Sequence, residues 1–525
     1  MKSCLAFVFA ITSFLGVAQT VTVASTEEYT NQLQNAYWTR VLGQDENGYY
    51  LLREYGPITN SKIVLEKYSP ALKLVYATDI EATSGTFNDS KLHRLTEMSN
   101  GSIYVFLEGW SKAAAQNSFI LKRVNEDGTL DAEDVVLETE PSAGQMKSAN
   151  YSISFSPDGS KLLVLTQKPF VKDGPEGIRL QVFETKSFTS IWKKDVALAN
   201  TSERFPRNDI QVNNEGVAFM FKDIKISNKE HQYQLLTYSN DVEKLQNLNF
   251  NVYAPGKNKM MINKAGHLLV CGTLYPAGGR ADDWQGILFL EASPQGEIVS
   301  LKTDMIPADI QAQAGVPVKN GILPNFAFKD VLPKSDGGYI LLMEEQKEFK
   351  NIVGQTTPPV YEYDLTFGNA LALSFDAKGT LLWSTSLEKK QTEKTKDPKL
   401  KFGSFAYQLK NDKLYLVWNF TALQRDLVSG YRYWMDKNGS KINIDNLFGK
   451  EAFYPTLLTV IDANGRFEFS DRTFSSLPLD EIQKPNAFPM AIDPSMFFAT
   501  DKGMVILSHM PGIEAKRFKF NTIGY

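Results

Sequence analysis

The sequence predicts an all-β protein, a β-propeller of four-stranded antiparallel blades, and three observations predict it. Eight times along the 525 residues, a short polar turn, usually ending in glycine, precedes an apolar run of four to six residues. The runs are rich in β-branched and aromatic residues, which favours strands over buried helices. Several are followed by a second hairpin with a turn of its own. A repeated unit of two hairpins is typical of sheets arranged radially.

The repeats begin with turns that suit hairpins, because Asp, Asn and Gly provide positive φ angles or local side-chain hydrogen bonds. The copies are NGYYLLRE at Asn47, NGSIYVFLE at Asn100, DGSKLLVL at Asp158, EGVAFMF at Glu215, AGHLLVC at Ala265, GGYILLM at Gly337, NDKLYLVW at Asn411 and KGMVILS at Lys502. The runs offer no polar face to water, which indicates strands covered on both sides by neighbouring blades.

The second repeat shows a complete predicted blade. LHRLTEM (92–98) and the following SIYVFLE are predicted to form the first hairpin. SFILKRV (118–124) and DVVLETE (134–140), joined by a turn that contains EDG, form the second. Similar second hairpins occur at 370–387 and 456–470.

Repeat spacing predicts eight blades, with seven as the alternative if one unit is irregular. The first four steps, from Gly48 to Gly266, are 50 to 58 residues long, and the later steps are 72 to 91 residues long. Insertions therefore concentrate in the second half. Only a short tail follows the last copy, so we expect TVTVAS (20–25) to complete the final blade by pairing with the C-terminal strand. One propeller domain, 19–525, accounts for the length.

The N-terminus predicts export. Lys2, an apolar stretch to Val17, and small residues at Gly16 and Ala18 form a signal peptide over residues 1–18. Cleavage would leave Cys271 as the only cysteine, which excludes an internal disulfide and favours a bacterial periplasm or cell surface. No other segment has the roughly 18 consecutive apolar residues that a membrane helix needs. Oligomeric state is left open.

SISFSPDGSKLLVL (152–165) resembles the WD-like repeat of bacterial periplasmic propellers, including the propeller of the Tol-Pal envelope system. DGGYILL at Asp336 and SFDAKGTLLW at Ser374 are similar to repeats of large secreted bacterial propellers of unknown function. The resemblance implies a fold and a compartment. It carries over no catalytic residue, because such repeats serve binding scaffolds and enzymes alike.

A search for catalytic and metal-binding motifs finds none. His93, His231, His267 and His509 form no HxH or HExxH pair, and no GxSxG, Walker or GxGxxG motif follows a strand. His267 and His509 have positions typical of strand-end residues bonded to the backbone, and Cys271 reads as a buried, inert thiol. No cofactor and no metal site is predicted. The net charge of −4 does not indicate the excess of basic residues that nucleic-acid binding requires.

Three insertions are the candidate binding loops, since loops on a rigid scaffold carry function. They lie around 275–286, 350–368 and 419–439. The candidate ligand-binding residues are Arg280, Asp282, Asp283, Trp284, Tyr361, Tyr363, Arg425, Tyr431, Tyr433 and Trp434. Aromatic rings beside Arg and carboxylates could stack on sugars or hold a peptide. The alternative interpretation is that these rings pack the insertions onto the propeller.

Two functions follow from these observations. The favoured one is a non-catalytic exported propeller that binds a protein partner or a glycan in the cell envelope. The alternative is a propeller enzyme acting on polysaccharide, a hydrolase or a lyase, with acid and base among Asp282, Asp283, Glu362 and Asp364. A hydrolase needs two carboxyl groups within roughly 5 to 10 Å of each other across a cleft.

Overall fold

The computed structural model describes residues 22–26, 29–30, 36–55, 62–80, 91–142, 144, 148–203, 206–227, 230–280, 283–354, 360–395, 403–419, 424–425, 432–435, 441–443, 456–474, 491–509 and 517–525. Within these ranges the one α-helix is α1 (Ala308–Gln313), and the remaining regular structure is almost all strand. The described chain is thus all-β, as predicted. The predicted signal peptide at 1–18 lies outside these ranges. No helix among the described residues has the length and apolar character to span a membrane.

The first half of the chain forms sheets from consecutive strands, which we number in chain order. After β1 (Thr22–Ser25) and β2 (Tyr29–Thr30), sheet 1 contains β3 (Ala36–Asp45), β4 (Gly48–Tyr55), β5 (Lys62–Tyr68) and β6 (Leu74–Ile80). Sheet 2 contains β7 (Lys91–Ser99), β8 (Ser102–Ser111), β9 (Gln116–Arg123) and β10 (Val135–Pro141). Sheet 3 contains β11 (Asn150–Phe155), β12 (Lys161–Gln167), β13 (Pro175–Glu184) and β14 (Thr189–Thr201). Sheet 4 contains β15 (Arg207–Val212), β16 (Ala218–Lys225), β17 (His231–Tyr238) and β18 (Glu243–Leu248).

The second half repeats this order with additional strands. They are β19 (Tyr253–Ile262), β20 (Leu268–Pro276), β21 (Asp283–Trp284), β22 (Gly286–Ala292), β23 (Ile298–Met305), β24 (Leu323–Pro324), β25 (Phe326–Pro333), β26 (Tyr339–Gly354), β27 (Val360–Phe375), β28 (Leu381–Leu387), β29 (Gln391–Thr395), β30 (Phe405–Lys410), β31 (Lys413–Asn419), β32 (Gln424–Arg425), β33 (Arg432–Met435), β34 (Lys441–Asn443), β35 (Thr456–Ile461), β36 (Phe467–Phe474), β37 (Ala491–Thr500), β38 (Gly503–His509) and β39 (Arg517–Gly524). Sheet 5 joins β19, β20, β22 and β23; sheet 6 joins β25 to β28, with β29 beside β27; sheet 7 joins β30, β31, β35 and β36.

Sheet 8 closes the structure with both ends of the chain. Its order is β37, β38, β39 and then β1, with Thr22 opposite Gly524 and Ser25 opposite Asn521. The Thr26 N–H donates to the Phe520 carbonyl at 3.0 Å. The predicted pairing of the N-terminal strand with the C-terminal strand is therefore confirmed.

The predicted turns supply the glycines that the hairpins need. In the SPDG turn, Gly159 has φ +68° and donates its N–H to the Ser156 carbonyl at 2.8 Å. Asp158 Oδ1 accepts a hydrogen bond from the Ser160 N–H at 2.9 Å, so the aspartate is a turn former. Asn411 and Asp412, with φ +51° and +56°, serve the same purpose without glycine.

Apolar clusters lie between consecutive sheets and account for the two-sided burial of the runs. Between sheets 2 and 3, Phe106 and Phe119 pack with Leu162. Sheets 8 and 1 are joined in the same way by a cluster that includes Phe520 and Leu51, so the last sheet packs against the first. The first strands of neighbouring sheets also contact one another, including β37 with β3 and β3 with β7. This is a propeller-like arrangement with the first strands innermost.

The strand ends from which the three insertions leave and to which they return lie on one face. Each connects the second strand of its sheet to the third: 275–286 between β20 and β22, 350–368 between β26 and β27, and 419–439 between β31 and β35. Because strands alternate in direction, these connections share a face with the links between sheets, including the link that carries α1. We call it the insertion face. The opposite face carries the short turns between first and second strands.

Candidate functional site

Buried polar side chains end several of the apolar runs, where second strands reach the insertion face. They are Arg53, Glu108, Lys222, Glu344 and Asn419. Each has a buried or partly buried polar partner, as buried polar groups require. For example, Arg53 Nε donates to Glu66 Oε2 at 2.6 Å, and Asn419 Nδ2 donates to the Ile492 carbonyl of the next sheet at 2.8 Å. Lys222, Glu344 and Asn419 each bond to a residue of a neighbouring sheet, whereas Arg53 and Glu108 bond within their own sheets.

Glu344 and Lys389 form the ion pair at the base of the second insertion. Lys389 Nζ lies 2.5 Å from Glu344 Oε1, and both side chains are fully buried. Burial would raise the pKa of the Glu344 carboxyl, but Lys389, Lys329 and the hydrogen bonds outweigh it, so this pKa is lowered. Burial lowers the pKa of Lys389, although Glu344 opposes the shift. The Ser404 hydroxyl donates to Glu344 Oε2 at 2.6 Å, which anchors β26 to the start of sheet 7.

The second insertion is a β-hairpin that extends beyond sheet 6. β26 and β27 have 16 residues each, and their pairing continues from Gln346 opposite Phe367 to Gly354 opposite Val360. β29 pairs with the other side of β27 between Phe367 and Tyr363. The predicted loop is thus a paired hairpin that projects from the insertion face.

One side of this hairpin carries two of the predicted tyrosines. Lys350 lies opposite Tyr363, and Ile352 lies opposite Tyr361, so these four side chains share a face. Lys350 Nζ is 3.7 Å from the Tyr361 ring centroid and 5.7 Å from the Tyr363 ring centroid. The cation is attracted to both rings. It also covers the face of Tyr361.

The other side of the hairpin carries the predicted carboxylates. Phe349 lies opposite Asp364, and Asn351 lies opposite Glu362. Asn351 Nδ2 donates to Asp364 Oδ2 at 2.8 Å. Glu362 and Asp364 are two residues apart on one strand, about 7 Å between Cα atoms from the rise of a strand. They share one strand face and do not oppose each other across a cleft.

The first insertion folds down onto the propeller. Asp283 and Trp284 form β21, which pairs with β24. The Trp284 side chain is 1% exposed, packs against Phe326, and donates its Nε1–H to the Gly286 carbonyl at 2.8 Å. Trp284 thus occupies the position expected if the insertion aromatics pack onto the propeller. Arg280 is exposed, and Asp282 lies outside the described residues.

The third insertion contains a separate three-stranded sheet of β32, β33 and β34. In this sheet Arg425 pairs with Arg432, Tyr433 with Gln424 and Asn443, and Trp434 with Ile442. Tyr431 lies outside the described residues. The structure therefore places the backbone of Arg425, Tyr433 and Trp434 together in one small sheet.

A polar cluster at the insertion-face end of sheet 4 was not predicted. His231 Nδ1 lies 2.5 Å from Asp223 Oδ1, and Arg207 Nη1 lies 3.5 Å from Asp223 Oδ2. The buried Tyr233 hydroxyl interacts with the Tyr275 hydroxyl. Burial, Asp223 and Tyr275 all raise the pKa of Tyr233. Tyr275 begins the first insertion, so the cluster adjoins a predicted binding loop.

Sequence spacing could not reveal this cluster. Asp223 and His231 are eight residues apart on two strands of a hairpin, and Arg207 comes from a third strand. The one available signal was that all three lie at strand ends on the same face.

The other residues singled out for chemistry have structural partners. Cys271 is fully buried, and burial raises the pKa of its thiol to about 12, as expected of an inert cysteine. The His267 ring bonds the Glu291 carboxylate at 2.8 Å, whereas a backbone partner was expected. The His93 ring bonds the Thr96 hydroxyl at 2.8 Å. Groups of three or more His, Cys, Asp or Glu side chains able to hold a metal ion do not occur among the described residues.

Comparison with known proteins finds only distant structural likenesses. No protein-family model and no curated protein matches the sequence. Solved structures that match include β-propellers, at identities that carry no functional argument.

Three of these structures illustrate the likeness. Prolyl oligopeptidase B from Galerina marginata matches 91% of this chain at 9% identity with a TM-score of 0.39, and the match spans only 55% of that protein's length. The β-propeller domain of the Trilobed protease from Pyrococcus furiosus matches 86% of this chain and 99% of its own, at 7% identity and a TM-score of 0.37. The WD40 domain of SCAP from fission yeast matches 96% of this chain and 94% of its own, at 8% identity and a TM-score of 0.39.

Proposed function

We propose that residues 19–525 form one eight-bladed β-propeller domain, exported to the bacterial periplasm or cell surface after removal of a signal peptide at 1–18. Sheets 1 to 8 and the packing of the last sheet against the first support this blade count. The charged and apolar pattern of residues 2–18 supports export. Within this domain the insertions at 275–286, 350–368 and 419–439 belong to the insertion face.

The domain acts as a binding scaffold, and the projecting hairpin is its contact site. The observation that supports this most is the exposure of apolar side chains on a hairpin anchored at its base by Glu344 and Lys389. Ile352 is 64% exposed, Val353 is 52% exposed, and Tyr361 lies opposite Ile352. Projecting apolar and aromatic side chains with a charged surround are typical of protein–protein contacts.

A protein partner fits this surface better than a glycan. A sugar stacks on an open ring face, but Lys350 covers Tyr361. Branched aliphatic side chains such as Ile352 and Val353 contribute to affinity by burial against another apolar surface. Glycan binding through the same rings is the alternative.

The test compares two substitutions of exposed β-branched residues. Ile352→Asp places a charge on the hairpin, whereas Val299→Asp places one on an outer strand, where Val299 is 54% exposed. A partner captured from envelope extracts by the unaltered chain and by Val299→Asp, but lost with Ile352→Asp, is the expected result. Equal capture by all three chains would remove the hairpin as the contact site. Retention of an envelope polysaccharide in place of a protein, lost with Tyr361→Ala, would favour the glycan alternative.

The enzyme alternative gains support from the Asp223–His231 pair. A histidine oriented by a carboxylate can accept a proton through its other ring nitrogen, and Arg207 and Tyr275 are close enough to hold a polar substrate. Envelope polysaccharides would be assayed for new chain ends. Cleavage abolished by His231→Gln but retained by the control His267→Gln is expected if this site is catalytic.

A further inference from the structure

The polar cluster of sheet 4 projects from one side of that sheet. Arg207 lies opposite Asp223, and Asp223 in turn lies opposite Tyr233. Lys225, two residues beyond Asp223, lies opposite His231. Residues opposite each other in antiparallel strands project from the same face. These five side chains therefore share one face of sheet 4, the face on which Tyr233 packs against sheet 5.

His231 has the arrangement of a base. Its Nδ1 lies 2.5 Å from Asp223 Oδ1, and a carboxylate that accepts from Nδ1–H leaves Nε2 as the nitrogen that takes up a proton. The His231 side chain is 22% exposed, so a ligand can reach it from the insertion face.

Tyr275 has the arrangement of a proton donor. Its interaction with the Tyr233 hydroxyl raises the pKa of Tyr233 and acts against the rise in the pKa of Tyr275, as expected if Tyr233 donates and Tyr275 accepts. Tyr275 then has its own proton to give to a ligand. Burial and Asp223 raise the pKa of Tyr275, which keeps its hydroxyl protonated. Tyr275 belongs to β20, so the acid and the base come from neighbouring sheets.

Two cations flank the histidine and its carboxylate. The Arg207 side chain is 77% exposed, with Nη1 3.5 Å from Asp223 Oδ2, and Lys225 is also exposed. A guanidinium group binds a carboxylate through two parallel hydrogen bonds. Arg207 is therefore suited to a ligand that carries a carboxylate.

We propose that this cluster cleaves polysaccharides that contain uronic acid residues, and that it does so by β-elimination. The inference rests on the enzyme alternative of the proposed function and is independent of the hairpin contact site. Arg207 binds the uronate carboxylate and stabilises the negative charge that develops on it. His231 takes the proton from the ring carbon next to the carboxylate.

The remaining steps balance the reaction. The electron pair of the broken C–H bond forms a double bond to the following ring carbon, and the bond from that carbon to the glycosidic oxygen breaks. Tyr275 gives its proton to the leaving oxygen. Proton transfer from His231 through solvent then restores Tyr275, and no water is consumed.

The described residues of the cluster favour elimination over hydrolysis. Hydrolysis by the usual route needs one carboxyl group as acid and a second as base or nucleophile. Asp223 is already bound to His231, which leaves Asp209 as the other carboxyl group on this face. Elimination needs a base beside a cation, and His231 and Arg207 supply both.

The test follows two products in the same reaction. The full mature chain would be incubated with polygalacturonate, alginate and hyaluronan. Elimination creates a double bond conjugated with the carboxylate, which absorbs ultraviolet light, together with one new reducing end. We expect at least one polymer to give both in equal numbers. The same polymer with its carboxylates reduced to alcohols should not be cleaved, because the neighbouring proton is no longer acidic.

Substitutions test the assigned roles. His231→Gln and Tyr275→Phe should lower kcat by about 10²-fold or more. The matched controls His267→Gln and Tyr253→Phe should leave it unchanged, since His267 bonds Glu291 and the Tyr253 hydroxyl bonds Met305. Arg207→Gln should weaken cleavage of the charged polymer much more than cleavage of its methyl ester, which carries no charge for the guanidinium to bind. Thermal unfolding of each variant separates lost activity from a lost fold.

Three results would overturn the inference. Reducing ends without ultraviolet absorbance would mean hydrolysis, and would leave the enzyme alternative standing. No cleavage of any of the three polymers would remove uronate elimination. An equal effect of Arg207→Gln on the charged polymer and its methyl ester would show that the arginine does not bind the carboxylate. None of these results changes the capture of a partner through Ile352, which tests the hairpin contact site separately.

Discussion

Lys222 on sheet 4 donates a hydrogen bond from Nζ to Glu176 Oε1 on sheet 3 at 2.8 Å, and both side chains are fully buried. Asn208 Oδ1 accepts a second hydrogen bond from Lys222 at 3.1 Å, and Gln167 Nε2 donates to Glu176 at 3.2 Å. The pair therefore has the additional hydrogen bonds that a buried ion pair needs to offset its loss of hydration. It joins sheet 3 to sheet 4, in addition to the apolar cluster between them.

Removing one partner of this pair should reduce the stability of the fold. Lys222→Met leaves the Glu176 carboxylate buried without its cation, and we expect the free energy of unfolding to fall by about 3–5 kcal/mol. The double variant Lys222→Met/Glu176→Leu should recover much of this loss. Urea unfolding followed by tryptophan fluorescence measures both. The exposed pair of Lys62 and Asp79 is the control, since Lys62→Met should cost under about 1 kcal/mol. A double variant no more stable than the single one would contradict this account.

The closure of sheet 8 should depend on Thr26. Its N–H donates to the Phe520 carbonyl, and its hydroxyl accepts a hydrogen bond from the Phe520 N–H at 3.1 Å. Thr26→Pro removes both bonds, and Thr26→Ala removes only the second. We expect the loss of stability to be about 1 kcal/mol for alanine and larger for proline. Hydrogen exchange should accelerate in Arg517–Gly524 with Thr26→Pro, and an unchanged exchange rate there would show that β1 is dispensable.

Asp493 should make the protein less stable as the pH rises. Burial raises the pKa of Asp493 to about 6, although hydrogen bonds from Ser495 act in the opposite direction. A carboxyl with a raised pKa in the folded state contributes stability that is complete below its unfolded pKa and is lost as the pH passes about 6.

Asp493→Asn keeps an oxygen acceptor and removes this titration. Above pH 6 the variant should be more stable than the unaltered chain by up to about 3 kcal/mol, and near pH 4 the two should be alike. Thermal unfolding between pH 4 and pH 8 measures the difference. The exposed Asp241→Asn should show no such dependence. A variant less stable than the unaltered chain at pH 7 would mean that the ionised carboxylate is bound favourably.

His93 should make the protein less stable as the pH falls. Burial and the nearby Arg40 lower the pKa of His93 to about 4. The folded state then holds the neutral ring while the unfolded chain takes up a proton, so stability present above about pH 6.5 is lost as the pH falls toward 4. Between pH 7 and pH 5, the free energy of unfolding of the unaltered chain should fall by about 1–2 kcal/mol because of His93. His93→Gln should not show this loss. Thermal unfolding at these two pH values checks this, and the same pH dependence in both chains would contradict it.

Much of the fold could be predicted from the sequence because its signals are local. The predicted strands of the second repeat correspond to β7 to β10, and the glycine of SPDG has the positive φ that the turn requires. Each hairpin needs its turn residues within a few positions of its strands, so the pattern survives in a single sequence. The pairing of β1 with β39 could be predicted because too few residues follow the last repeat to complete its four strands.

The candidate site was less predictable because its contacts link distant residues. The sequence left open whether Trp284 binds a ligand or packs onto the propeller, because its environment is set by Phe326 from another strand. Tyr361 and Tyr363 were identified, whereas Lys350 above them depends on the register of two long strands. Asp223 and His231 meet through strand pairing, which no local spacing encodes.

The pairing of β1 with β39 has a consequence for the order in which the molecule forms. Ser25 and Asn521, bonded at 2.8 Å, are 496 residues apart in sequence. Bringing such distant segments together costs about 5–6 kcal/mol of chain entropy. During translation β1 is made long before β39 and must wait for it. Sheet 8 therefore cannot form until Arg517–Gly524 has left the ribosome, and we expect its closure to be a late and slow event of folding.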